Sequence, residues 1–377
     1  MKKILFIDSY YQGFIESFNS DGITGSFEEF KRRISANRFG TGTALSEEFE
    51  RLGWESDVLV PNFRDMQVAW RRQNKLKEPI MRGWSYGPHI ARVPFSNFVS
   101  KRIPHLHQTL LEQIKRIQPD VVLVQDLNIL NSGLIKKIKA NSGLVVGEIA
   151  SPLPPLRLLD GYDLIVSALD PIVDEIANLG IKSRWVPLGF DMKNWSNFDP
   201  ESNPREIDVV FTGSISRLQK STLPLLVAIA NKVENFSVYG PSSTRIALAG
   251  ASLSHIYKGE AWGSEMFGIL GRSKISLNRH GEVAQGFATN MRMYESTGMG
   301  ALLLTDATKK LDRLFTANEE VLTYSNQADA AEMLPEILKD VDRLKSIAIK
   351  GQRRTHAEHT YANRAERLQE IFSEFTP

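Results

Sequence analysis

Arg292 and Glu295 carry the clearest chemistry of any spacing in this 377-residue chain. They lie in KISLNRHGEVAQGFATNMRMYESTGMGALLLTD, residues 274–306. Thr289 or Asn290 suits the start of a helix, and side chains three apart on a helix share a face. A helix N-terminus offers unpaired N–H groups and partial positive charge. With Arg292 beside it, that end suits a diphosphate. Glu295, further along the same face, suits the hydroxyls of a ribose. The elements that must position the pair read plainly. Residues 275–277 form a short apolar strand entering the polar turn Asn278, Arg279, His280, Gly281. Gly298 and Gly300 stop the helix, and residues 301–305 form a second buried strand. The blander alternative is an amphipathic helix with a surface ion pair; the flanking strands and glycines favour a ligand.

The run N-x-R-x-Y-E-S-x-G-x-G-A-L-L-L-T-D that starts at Asn290 resembles the donor-site signature of group 1 glycosyltransferases of the GT-B fold. It is most similar to the branch named after spore-maturation proteins, and the resemblance extends over residues 211–372. It implies an α/β protein of two Rossmann-like, doubly wound domains facing across a cleft, with the C-terminal helix crossing back to the first domain. It implies a glycosyltransferase that moves a sugar from a nucleoside-diphosphate donor to a hydroxyl acceptor. The acceptor would be a glycan, a lipid-linked sugar, a small molecule or a protein. Arg292 and Glu295 would touch diphosphate and ribose. One departure stands out: many retaining relatives carry a second Glu eight positions earlier, where this chain has Phe287, and Glu282 is at the wrong spacing. The resemblance therefore leaves retention or inversion open.

Composition bounds the same picture. The chain is 42% apolar and 24% charged, with a formal net charge of +2, which fits a soluble enzyme of two domains. The near-neutral balance argues against a nucleic-acid partner. There are no cysteines, so disulfides and thiolate metal sites are excluded and a reducing, cytoplasmic setting is expected. The opening MKKILFIDSYYQ has too short an apolar run for a signal peptide and reads as a first strand.

The pattern of apolar runs predicts two domains. The first spans residues 1–190, with a basic, aromatic insertion at about 62–102. A linker at 191–206 is rich in Asn, Ser, Asp and Pro. The second domain spans 207–358, and 359–377 forms the returning helix. In the first domain, residues 9–42 read as a long loop with a Gly40/Gly42 turn, and 119–126 as a buried parallel strand ending at Asp126. Beyond the linker, 311–315 and 319–324 are expected to complete the second sheet, and 334–374 to be helical.

Further candidates come with the resemblance. Arg217 and Lys220, in the opening of GSISRLQK, would neutralise the diphosphate. Gly240, Tyr257, Gly259 and Ala261 would meet the nucleotide, largely through backbone. Asn278, His280 and Asn290 would line the donor side, and His280 would hydrogen-bond sugar or diphosphate. An inverting reaction needs a general base, for which Asp126, Asp8 and His89 are candidates in that order. No D-x-D dyad or carboxylate cluster implies a metal, and no cofactor is expected besides the nucleotide-sugar co-substrate. The basic 64–102 region, with Trp70 and Trp84 among its aromatics, reads as an acceptor platform, a peripheral membrane contact or a solvated insertion with its own small core. The alternatives in function are a non-catalytic nucleotide- or sugar-binding protein on the same scaffold, and a nucleotide-sugar epimerase.

Overall fold

The computed structural model describes residues 1–20, 25–77, 104–215 and 222–375. The chain divides into two compact units, one formed by Met1–Ser167, Ile172–Val186 and Ala365–Pro377, the other by Ala168–Pro171 and Pro187–Arg364. The small excursion at Ala168–Pro171 belongs to the second unit because Asp170 pairs there with Arg313 at 2.9 Å and with Lys310.

The first unit holds a six-stranded sheet in the order β2-β1-β3-β4-β5-β6. Its strands are β1 (Lys3–Ile7), β2 (Glu55–Leu59), β3 (Val121–Val124), β4 (Leu144–Glu148), β5 (Leu164–Ser167) and β6 (Ser183–Trp185). All pair in parallel, as in Ile7 opposite Val124. The central strands are uninterrupted apolar runs because helices cover both faces; β3 is wholly buried. The strand order reverses between β1 and β3, so the crevice at their carboxyl ends is where such a sheet binds ligands.

Residues 9–42 are not the open loop their composition suggests. Two helices fold there, Gln12–Ser20 and Phe27–Asn37. Ser26 caps the second by accepting from the Glu29 N–H at 3.2 Å, and Phe27, Phe30 and Ile34 form its buried stripe. Phe14 stacks on Phe39 at 4.1 Å between centroids, and Phe18 and Phe30 each meet Phe63 edge-on at 5.4 Å. These aromatics are core. The same holds for Trp70, which is buried on the helix Arg64–Gln73 under the Arg116 guanidinium, 5.3 Å from its ring. The rest of the insertion from residue 78 to 103, including His89 and Trp84, lies outside the described residues.

The second unit holds a six-stranded sheet in the order β12-β11-β10-β7-β8-β9. Its strands are β7 (Ile207–Thr212), β8 (Phe236–Tyr239), β9 (Tyr257–Gly259), β10 (Ser273–Leu277), β11 (Leu302–Asp306) and β12 (Leu322–Tyr324). These too are all parallel, with Phe211 opposite Leu277. The reversal of order falls between β7 and β10.

Three expectations need correction here. Leu311–Arg313 is a single 3-10 turn, not a strand, because its residues are followed directly by the buried Leu314 and Phe315, which leave no edge to pair. The span 334–374 is three helices, Gln327–Lys339, Val341–Glu358 and Tyr361–Ser373. Asp340 ends the first and caps the second by accepting from the Arg343 N–H, and Thr360 leaves helix geometry to pair with Phe190. The span 191–206 is not all linker, since Asp191 caps the short helix Met192–Ser196. The last helix packs in the first unit: Phe372 stacks on Phe49 at 6.0 Å, and Gln369 accepts from the Trp54 indole at 2.9 Å. Among the described residues no helix is long and apolar enough to cross a membrane.

Candidate functional site

The carboxyl edge of the second sheet gathers most of the candidate residues. Asn290 caps the helix Met291–Gly298 by accepting from the Met293 N–H at 3.2 Å. Its amide also donates to Asn278 Oδ1 at 2.9 Å and to the Arg279 carbonyl at 3.4 Å, which ties the turn after β10 to the helix start. Asn278 is buried, and its own amide donates to Thr305 Oγ1. Tyr324, at the end of β12, donates to the Asn278 carbonyl. The cap is therefore a neutral amide held in a network, and among the described residues no carboxylate occupies the helix N-terminus.

One turn on, Arg292 Nη1 lies 2.8 Å from Glu295 Oε2, with side-chain exposures of only 17% and 11%. That burial excludes the solvated surface pair that an isolated R-x-x-E suggests. The charges touch, yet Glu295 Oε2 falls outside hydrogen-bond geometry and Arg292 Nε has no hydrogen-bond partner; both atoms are closed to solvent. Arg292 Nη1 also reaches Met266 Sδ at 3.0 Å, on the helix Ser264–Gly271. A buried carboxylate and guanidinium with unused polar atoms are costly unless something else completes them.

The far end of this helix is clamped from three sides. Arg205 donates to the Ser273 and Met299 carbonyls at 2.6 and 3.0 Å, and burial pulls its guanidinium down to about 10. Gln352 and His356 both meet the Gly298 carbonyl. At Gly298 a Cβ would stand 2.5 Å from the Phe190 ring. None of these three clamping side chains carries a local sequence signal.

On the other side of the switch point, Gly240 follows β8 and faces the turn after β7. A Cβ there would meet the Gly213 carbonyl at 2.1 Å. Thr244 Oγ1 bridges that carbonyl and the Ile215 N–H. Tyr257 donates to the Gly240 carbonyl at 2.9 Å, and Gly259 accepts from the Gly240 N–H. Gly259 has φ of 118° and nothing within 4 Å of a would-be Cβ, so its backbone lies open beside β9. Ala261, just beyond, is half-buried. Arg217 and Lys220 lie outside the described residues.

His280 takes a different place from the one the sequence suggests. It is 4% exposed, and its Nδ1 and backbone N–H both meet Asp306 Oδ1, at 2.8 and 3.0 Å, while Nε2 faces Met293 Sδ at 3.2 Å. Burial opposes charge on Asp306, but the His280 contacts outweigh it and hold the carboxyl below its ordinary range. Both ring nitrogens are thus engaged inside the unit, where His280 braces the turn. Its neighbour Arg279 is the residue that sequence reasoning passed over, although it sits between two candidates.

In the first unit, Asp8 and Asp126 meet the switch point between β1 and β3. Asp8 is 7% exposed and accepts from the Ser9 N–H at 2.8 Å and the Gly42 N–H at 3.4 Å. Burial pushes its carboxyl up to about 7, with Glu148 and Asp126 adding to the rise. A Cβ at Gly40 would stand 2.8 Å from the Asp8 carboxylate, and φ there is 81°. The Gly40/Gly42 turn therefore wraps the chain's own carboxylate. Asp126 accepts from Ser9 Oγ at 2.9 Å and from the Asn128 N–H at 2.9 Å, so one oxygen ties down the segment after β1 and the other braces its own turn. Among the described residues no group of three His, Cys, Asp or Glu side chains is placed to hold a metal ion.

Residues 223–370 match the model of a family described as Glycosyl transferase-like. Comparison with curated proteins finds no match. Solved structures share the architecture along the whole chain. A glycosyltransferase from Rickettsia africae superposes with a TM-score of 0.60 at 13% identity, covering 99% of this chain and 98% of that one. Alr3699/HepE from Anabaena, solved with UDP and glucose, gives 0.60 at 11% identity, covering 99% and 100%. A sucrose-phosphate synthase from Thermosynechococcus elongatus gives 0.57 at 12% identity, covering 99% of each. At these identities the likeness establishes the fold, which is GT-B.

Proposed function

We propose that this protein is a glycosyltransferase whose nucleoside-diphosphate sugar donor binds at the carboxyl edge of the second sheet. The observation that carries the reading is the Arg292–Glu295 pair, buried one turn from an amide-capped helix start, with Arg292 Nε and Glu295 Oε2 unused. The matched family segment contains this helix and the presence of UDP and glucose in the Anabaena structure is in keeping with it.

In this reading Glu295 accepts from the ribose hydroxyls, and Arg292 with the helix N–H groups takes up the diphosphate charge. The bond from the sugar's anomeric carbon to the terminal phosphate oxygen breaks, and a bond from that carbon to the acceptor oxygen forms. The nucleoside diphosphate leaves with the electron pair. Fixed cations aimed at the departing oxygens stabilise that charge without a metal. The acceptor proton passes to a protein base or to a leaving phosphate oxygen. Asp126, Asp8 and His89 are the protein candidates. Asp8, pushed up to about 7, has the proton affinity a base needs near neutrality. Arg217 and Lys220 belong to the donor set in the same reading, and a cytoplasmic setting goes with the intracellular supply of nucleotide-sugars.

The test is a thermal-shift panel with UDP, GDP, dTDP, ADP and CMP, followed by hydrolysis assays with the matching nucleotide-sugars. At least one nucleotide should raise Tm, and Glu295→Ala should abolish the rise while the ligand-free protein stays folded. A wild-type protein indifferent to the whole panel would overturn the proposal.

A further inference from the structure

Arg279 is a half-buried cation that no carboxylate of the described residues neutralises. Its Nη1 is closed to solvent and has no hydrogen-bond partner. Among the described residues no carboxylate lies within ion-pair distance of it. Its surroundings offer no spare acid: Asp306 is taken by His280 and Glu295 by Arg292, while Glu282 is exposed on the loop. Arginine stays protonated at any physiological pH, so an unpaired buried guanidinium N–H marks a position that an anion completes.

The backbone around Arg279 is fixed on both sides. Asn278 is held by Thr305, Asn290 and Tyr324, and His280 by Asp306. The Asn290 amide then holds the Arg279 carbonyl at 3.4 Å, against the N-terminus of the helix Met291–Gly298. Three groups consequently follow one another along the helix axis. The Arg279 carbonyl stands at the N-terminal end, Arg292 in the first turn, and Glu295 one turn further. Thr212 adds a fourth unused atom at the same switch point: it is 6% exposed at the end of β7, and its Oγ1 has no partner. β7 pairs with β10, whose last residue Leu277 lies opposite Phe211.

We infer that Arg279 is a further cation of the diphosphate site beside Arg292 and meets the terminal phosphate, the one that bears the sugar. This rests on the donor reading and adds an order to it: ribose at Glu295, first phosphate at Arg292, terminal phosphate at Arg279 and the helix start. Two planar guanidinium forks on successive phosphates suit their paired oxygens. Arg279 then sits where negative charge accumulates as the glycosidic bond breaks.

The experiment compares wild type, Arg279→Gln and Arg279→Lys in binding UDP, GDP, dTDP and ADP, each beside its monophosphate, and inorganic pyrophosphate. For the nucleotide that binds, wild type should prefer the diphosphate. Arg279→Gln should weaken diphosphate binding about 10- to 100-fold and change monophosphate binding by less than about twofold, as loss of one charge-assisted hydrogen bond requires. Arg279→Lys should restore part of the preference and serves if the Gln variant does not fold. An undiminished diphosphate preference in both variants, or an equal loss for mono- and diphosphate, overturns the inference and leaves the donor reading intact. Arg279-dependent binding of pyrophosphate without any nucleotide binding keeps the anion site and overturns the donor reading. Indifference of wild type to every probe overturns both.

Discussion

In the first unit the helix Gly42–Arg51 begins against the chain's own carboxylate, with the Gly42 N–H 3.4 Å from Asp8. In the second unit the helix Met291–Gly298 begins under a neutral amide, Asn290, with two arginine nitrogens nearby left unpaired. Both helices stand beside the switch point of a parallel six-stranded sheet. The first places Asp8, Asp126 and Glu148 at its strand ends; the second places Arg279 and the His280-bonded Asp306 at its strand ends and Arg292 on the helix. The two helices lie on opposite sides of the reversal, Gly42–Arg51 joining β1 to β2 and Met291–Gly298 joining β10 to β11, and their starts meet different groups. An internal carboxylate fills the anion-binding end of the first helix, and a helix N-terminus so filled has little left to offer a phosphate. The proposed donor reading places the phosphate in the second unit and the candidate bases Asp8 and Asp126 in the first.

The largest effect expected from breaking this comparison is on nucleotide binding. Arg292→Ala should weaken the nucleotide that stabilises wild type by about a hundredfold or more, since it removes one partner of a buried charged contact. Asp126→Ala should leave that affinity within about twofold, because Asp126 bonds to Ser9 and Asn128 within the first unit. Calorimetric titration of both variants decides it, and equal losses would erase the distinction between the units.

Next is the packing that shapes each crevice. Gly240→Ala drives a methyl against the backbone carbonyl of Gly213, while Gly42→Ala meets the movable end of Gln125 at 2.9 Å. Urea denaturation should show a cost of about 1–3 kcal/mol or more for Gly240→Ala, and a smaller one for Gly42→Ala. The reverse order would mean that the first crevice is the more rigid.

The smallest effect sharpens the electrostatic half of the comparison. Asp8 holds its proton more tightly in the folded chain, about 7 against the ordinary 3.8. Between those values the unfolded chain has released the proton and the folded chain has not. The group's contribution is therefore most favourable below the lower value and is lost as pH rises to the upper one. Asp8→Asn removes this slope. Its Tm relative to wild type should rise by a few degrees across that window and stay level above it. At neutral pH the same variant should also gain stabilisation by sulfate that wild type lacks, because the Gly42 N–H is then free of a carboxylate.

Much of this was legible in the chain. VVLV and LLLT read as buried parallel strands, and Asn290 ahead of R-x-x-E marked a capped helix. What escaped depended on partners far away in sequence. The aromatics of residues 9–42 looked like a loop for ligands because their partner Phe63 lies beyond the following helix and strand. His280 looked like a ligand because Asp306, which fixes it, is on the next strand. Arg279 carried no motif at all; only the absence of a partner in three dimensions singles it out.

The sequence by itself determined the two parallel sheets and the one-turn spacing of Arg292 and Glu295, because hydrophobic period and helix geometry are local. Only the tertiary structure decided that Gly42 meets Asp8 while Asn290 leaves its helix open, since the first contact joins residues 34 positions apart. Whether a charge is answered from within the chain depends on what packing brings to it, and packing is not a local property.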